Sequence, residues 1–152
     1  MNIELRTPEL SDGELILSWR NEPLVRKFSK SQELILEGAH REWLKDRVSS
    51  LHLAPFFIVW LEEYPVGYIR FDSVATNEFD ISYLVDPTFR GQGLGIEILV
   101  EGIRELREAF PKSILNAWVS NLNFASQKNF ESLGFDLVEI EENFRKYQEL
   151  LK

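Results

Sequence analysis

Six consecutive residues, Arg90, Gly91, Gln92, Gly93, Leu94 and Gly95, combine the properties needed to hold an anion. Glycines at 91, 93 and 95 let the backbone come close to a ligand, and the amides opening a following helix have no intrahelical acceptor. Arg90 adds a planar cation whose fork fits phosphate oxygens. The chemistry expected is a pyrophosphate cradled by backbone amides. A nucleoside-triphosphate loop would need Gly-Lys-Ser/Thr, and no Lys follows these glycines; a dinucleotide fingerprint would need a glycine where Ile96 stands. The remaining alternative is a connection that only makes a tight turn.

Such a loop has to be placed by a strand before it and a helix after it. Segment 78–85 alternates, with Phe79, Ile81, Tyr83 and Val85 on one face and Glu78, Asp80, Ser82 and Leu84 on the other, which predicts a strand. After the loop, Leu99, Ile103, Leu106 and Phe110 recur at helical spacing opposite Glu97, Glu101, Glu105 and Glu108, and Pro111 ends the run. Upstream, the spacing predicts a strand at Ile3 and Leu5, and a helix capped by 11–13 that carries Leu15, Ile16 and Trp19. A second helix is expected over 37–48. The runs 56–61 and 66–71, with a break at 62–65, read as a hairpin continued by 78–85 into an antiparallel meander. Downstream come a strand at 114–119, a helix at 123–133 closed by Gly134, and a strand at 135–140. The tail 144–151 fits a helix face through Phe144, Tyr147 and Leu151, or a last strand after a turn at Glu142-Asn143.

At 152 residues the chain suits one domain, residues 1–152, with no linker, repeat or low-complexity stretch. A net charge of −8 argues against a nucleic-acid backbone as partner. With no Cys, and with His40 and His52 isolated, thiolate catalysis, disulfides and a metal site are not expected. No apolar run approaches a membrane span and no leader precedes the first strand, so a cytoplasmic protein without a membrane partner is expected.

The loop matches the Arg/Gln-x-x-Gly-x-Gly/Ala signature of the GNAT acetyltransferases. Residues 81–87 (Ile-Ser-Tyr-Leu-Val-Asp-Pro) resemble that family's cofactor strand, and 121–126 (Asn-Leu-Asn-Phe-Ala-Ser) with 130–135 (Phe-Glu-Ser-Leu-Gly-Phe) resemble its later motifs. The resemblance implies an α+β, three-layer domain whose mixed, mostly antiparallel sheet is flanked by helices and splayed where acetyl-CoA binds. It implies that backbone groups at Leu84 and Val85 hold the pantetheine arm, that residues 90–95 hold the pyrophosphate, that Asn123 reaches the cofactor, and that the tail is a strand.

The same resemblance puts Asp80 where many relatives carry a catalytic glutamate, making it the candidate general base, with Glu78 as fallback; an Asp on the polar side of a bent strand is the plain alternative. Relatives that use a tyrosine acid carry it where this chain has Phe130, leaving Tyr147, Tyr83 or Ser126, or no acid at all. Residues 17–23 (Leu-Ser-Trp-Arg-Asn-Glu-Pro) resemble a branch containing nucleotide-linked amino-sugar and ribosomal-protein N-terminal acetyltransferases, with Trp19 read as a core residue. A small-molecule amine is therefore the expected acceptor, an amino sugar first, then a peptide N-terminus, then a polyamine. A non-catalytic acyl-CoA sensor is the alternative of another class.

Overall fold

The computed structural model describes residues 2–152; Met1 lies outside them. Seven strands form one sheet: β1 (Ile3–Arg6), β2 (Phe56–Leu61), β3 (Tyr64–Ala75), β4 (Glu78–Val85), β5 (Ile114–Ser120), β6 (Asp136–Ile140) and β7 (Phe144–Leu150), in spatial order β1-β2-β3-β4-β5-β7-β6. All neighbours are antiparallel except β4 and β5, which run parallel through the crossover helix between them. The tail is a strand, paired along β5 from Ile114↔Leu150 to Ser120↔Phe144.

Helices cover both faces. On one lie α1 (Gly13–Arg20), α2 (Pro23–Lys27) and α3 (Glu37–Ser49), closing a cluster of Ile16, Trp19, Leu44, Phe56, Ile58, Tyr68 and Leu84. On the other, α4 (Leu94–Ala109) and α5 (Phe124–Ser132) close a larger cluster that includes Ile69, Phe71, Phe79, Ile81, Ile98, Leu99, Leu115, Phe130 and Tyr147. The two clusters follow from strand alternation: Leu84 enters one and Ile81 the other, so the central strands are apolar on both sides.

Three local expectations are corrected. Asp12 is the N-cap residue of α1 but its side chain makes no capping bond to that helix; its carboxylate accepts from the Glu9 amide at 2.8 Å in a capping box of the short 3-10 turn Leu10–Asp12. Residues 62–65 are not all a break, because only Glu62 and Glu63 turn and Pro65 lies inside β3 opposite a register shift at Val59/Trp60, where a missing amide is tolerated. The helix α2 was not anticipated, although Pro23 at its first turn and Glu22, whose carboxylate accepts from the Val25 amide at 3.0 Å, are its start signal.

The glycine with the tightest demand is Gly67, where a Cβ would lie 2.1 Å from the Leu84 carbonyl oxygen. That oxygen belongs to the β3–β4 ladder and cannot withdraw without breaking it. Gly67→Ala is expected to destabilise the protein by about 3 kcal/mol, read as a lowered urea midpoint.

Candidate functional site

The parallel pairing of β4 with β5 covers three residue pairs, Glu78↔Ile114, Phe79↔Leu115 and Asp80↔Asn116, and then stops. From residue 81 to Val85 the two strands diverge, leaving a slot open in the sheet. Register decides which backbone groups face it. The Asp86 amide donates to the Val66 carbonyl at 2.7 Å, so 66/86, 68/84 and 70/82 are the hydrogen-bonded pairs of the β3–β4 ladder. The N–H and C=O of Leu84 are thereby directed to β3, and those of Tyr83 and Val85 to the slot. Which backbone groups face the slot is thus a matter of ladder parity, which strand alternation alone could not single out.

The loop after β4 is built from both ends. Asp86 accepts from the Thr88 amide at 2.8 Å and from Trp19 Nε1 at 2.7 Å, the latter 67 positions earlier in the chain. Trp19 is a core residue, 2% exposed and edge-on to Tyr68. Gly91 and Gly93 take φ values of 80° and 78°, the left-handed region that favours glycine, and Gly93 is the N-cap of α4. Gly95 is helical, and its constraint is packing: a Cβ there would lie 3.2 Å from Asn129 Nδ2 and 3.5 Å from Tyr83 Cε2. Gln92 is exposed and Leu94 buried beneath the helix start.

Arg90 does not present a free cation. Its Nη1 and Nη2 donate to Glu22 at 3.3 and 3.0 Å, and its Nε donates to the Val85 carbonyl at 3.1 Å. Glu22 is held below its ordinary value first by this hydrogen bond. The sequence reading, which saw only a cation beside glycines, missed a partner 68 positions away. Asn123 caps α5 by accepting from the Ser126 amide at 3.2 Å, so its Nδ2 is what remains for a ligand.

Asp80 lies where the parallel pairing ends. Burial pushes its carboxyl up; the Asn116 hydrogen bond opposes that, Asp72 adds to it, Lys146 opposes it and Glu78 adds to it. Asn116 Nδ2 donates to Glu78 at 2.8 Å and to Asp80 at 3.3 Å, while its oxygen accepts from Gln148 at 2.9 Å. Asp72, directly across β3 from Asp80, is ion-paired to Arg70 and Arg47. The group is a partly buried carboxylate fixed by an amide and flanked by two others, suited to taking a proton.

On this same sheet face, cations lie over aromatic rings. The Arg20 guanidinium is 3.9 Å and that of Arg70 5.3 Å from the Trp43 ring, and Lys30 and Lys146 are 3.6 and 5.3 Å from Trp118. His40 Nε2 donates to the Gly13 carbonyl at 2.9 Å and its Nδ1 accepts from Arg20 at 3.0 Å, the neutral tautomer that burial favours. A cavity of about 350 Å³ between β1 and α4, lined by Asn2, Ile3, Ile96, Glu97, Val100 and Glu101, is separate from these groups. Among the described residues no group of three or more His, Cys, Asp or Glu is placed to hold a metal, and no helix is long and apolar enough to cross a membrane.

Comparison with known proteins gives one family. A model described as acetyltransferase (GNAT) domain matches residues 2–136. Acetyltransferase PseH of Campylobacter jejuni subsp. jejuni serotype O:23/36 (strain 81-176) is 27% identical over 142 residues, 93% of this chain and 85% of that protein. The solved structure of yncA, a putative acetyltransferase from Salmonella typhimurium with its cofactor acetyl-CoA, superposes with a TM-score of 0.82 at 20% identity, over 100% of this chain and 95% of that one. RimL, a ribosomal L7/L12 alpha-N-protein acetyltransferase in complex with coenzyme A, superposes with a TM-score of 0.81 at 17% identity, over 99% and 95%. The two superpositions establish a shared fold.

Proposed function

We propose, because the chain belongs to the acetyltransferase (GNAT) family and takes its acetyl group from acetyl-CoA, that its acceptor is the primary amine of an amino sugar, including one carried on a nucleotide. The observation that carries this is the juxtaposition of an open β4–β5 slot with Asp80 and with a face where cations lie over Trp43 and Trp118. Aromatic rings beside fixed polar groups suit a sugar, and Arg20, Lys30 and Lys146 suit attached phosphates. The same cations disfavour a polyamine. A peptide N-terminus is the second reading, supported by the 17–23 motif and the likeness to RimL.

In this reading the pantetheine arm pairs with the backbone of Tyr83 and Val85, the pyrophosphate sits on the amides of residues 91–95, and Asn123 reaches the arm from α5. Asp80 takes the proton of the attacking amine, directly or through water. Freeing a neutral amine at pH 7 costs about 1 kcal/mol for a pKa near 8 and about 4–5 kcal/mol for a lysine-like one. A modest carboxylate base therefore suffices for a weakly basic acceptor.

The test is incubation with acetyl-CoA and a panel of amino sugars, nucleotide-linked amino sugars, peptides and polyamines, followed by mass detection of the acetylated product. A product confined to peptides overturns the sugar assignment, and acetyl-CoA binding without turnover on any amine points to a sensor.

Arg90 in this reading acts through the loop's shape, tied to Glu22 and to the Val85 carbonyl. Glu22→Gln should weaken acetyl-CoA binding roughly fivefold by loosening that tie, although it removes an anion near the phosphates. Calorimetric titration checks it; tighter binding would show instead that the released guanidinium is a phosphate ligand.

A further inference from the structure

We propose that the hydroxyl of Tyr83, seated against Ser126 and Asn129, donates the proton that the coenzyme A thiolate needs as the acetyl group leaves. The inference rests on reading the β4–β5 slot as the acyl-CoA site. As the amine nitrogen attacks, the new C–N bond forms and the thioester C–S bond breaks with its electron pair on sulfur. The Tyr83 proton passes to that sulfur, giving the free thiol. The tyrosinate regains a proton through solvent from the one released by the attacking amine.

Tyr83 is the hydroxyl best placed for this. It lies on the stretch of β4 that has lost its β5 partner, and its own N–H and C=O face the slot. Its ring sits beside Gly95 and edge-on to Phe130, with centroids 5.8 Å apart. Phe130, 1% exposed, has no proton to give. Tyr147 is fully buried and donates to Glu131 at 2.7 Å, Tyr68 belongs to the cluster on the opposite sheet face, and Ser120 Oγ accepts from the Leu122 amide.

The hydrogen bonds at the Tyr83 oxygen leave a proton available. Asn129 Nδ2 donates to it at 3.1 Å, and Ser126 Oγ lies 2.9 Å away with either oxygen able to donate. If Ser126 donates, these partners leave the phenol proton for the ligand. Both bonds also stabilise the phenolate that transfer leaves behind. Burial pushes the phenol up, so it is protonated at neutral pH, and the Ser126 and Asn129 bonds pull the other way.

The test needs no acceptor. Coenzyme A bound to the protein is titrated through the ultraviolet absorbance of its thiolate, and desulfo-coenzyme A, which lacks the sulfur, is used to measure binding. A donor at the sulfur stabilises the thiolate, so Tyr83→Phe should raise the bound thiol's pKa by about one pH unit, and Ser126→Ala should raise it less. Desulfo-coenzyme A should bind native protein and both variants equally, which a merely structural role for Tyr83 would not separate from the thiol shift. The same thiol pKa in all three proteins, with desulfo-coenzyme A binding intact, overturns the donor and leaves the slot standing. Failure of native protein to bind desulfo-coenzyme A overturns the slot reading itself. Should Tyr83→Phe not fold, the Ser126→Ala titration decides alone.

Discussion

Gly93→Glu is expected to abolish acetyl-CoA binding in a protein that still folds. A Cβ at Gly93 would have nothing within 4 Å, so the cost to the fold is limited to holding a side chain at a φ of 78°, about 1–2 kcal/mol. The cost to binding is larger. The glutamate carboxylate sits at the N-cap of α4, where the helix dipole and the free amides favour an anion, and so it competes with the pyrophosphate it also repels. Native protein at a hundredfold the dissociation constant should gain about 2.7 kcal/mol, a rise in Tm of roughly 5–10 °C, and the variant should gain none. Gly93→Asn separates strain from blockage, since asparagine tolerates this backbone and carries no charge; it should keep most of the shift. An undiminished shift in Gly93→Glu would remove the loop from the cofactor site.

Asp80→Asn should lower the rate of transfer by about 10²–10⁴-fold at pH 7 with the acetyl-CoA dissociation constant unchanged, because asparagine keeps the shape and cannot take a proton. The pH dependence follows from the direction of the shift: Asp80 is held above the ordinary carboxylate value, first by burial. Transfer by native protein should therefore fall as pH drops through that raised value. Stability runs the opposite way. The folded state binds the Asp80 proton more tightly than the unfolded chain, so this contribution is fully present below the unfolded value and is lost as pH rises through the folded one. Asp80→Asn should be more stable than native protein at neutral pH, with the difference shrinking as pH falls below the ordinary carboxylate range. Denaturation series at several pH values check this. Full activity in Asp80→Asn would return the base to Glu78 or to water.

The two variants probe different kinds of legibility. Gly91 and Gly93 could be read directly, because a positive φ is a local demand that glycine alone meets cheaply. Gly95 belongs to the same motif for another reason, the close approach of Asn129 and Tyr83, and only the packed structure distinguishes packing from flexibility. Arg90 was read as a phosphate ligand from its neighbours in the chain. Its partner Glu22 comes from the α1–α2 junction, and no local pattern encodes a contact across 68 positions. Trp19 was placed in the core from its helix face, while its bond to Asp86, which ties the first helix to the loop, was not visible.

The sequence by itself determined the order of the strands and of every helix but α2, the tail strand by way of the family resemblance, the family to which the loop motif points, and the face of β4 that bears Asp80. These rest on spacing within one segment, where periods of 2 and 3.6 and the conformational demands of Gly and Pro act over a few residues. Tertiary structure decided which backbone groups face the slot, those of Tyr83 and Val85 and not those of Leu84, because the parity of the β3–β4 ladder is set by hydrogen bonds to another strand. It also decided where β4 and β5 part, what holds Arg90, and that the Tyr83 hydroxyl meets Ser126 and Asn129. Each depends on distances between segments far apart in the chain, which packing fixes.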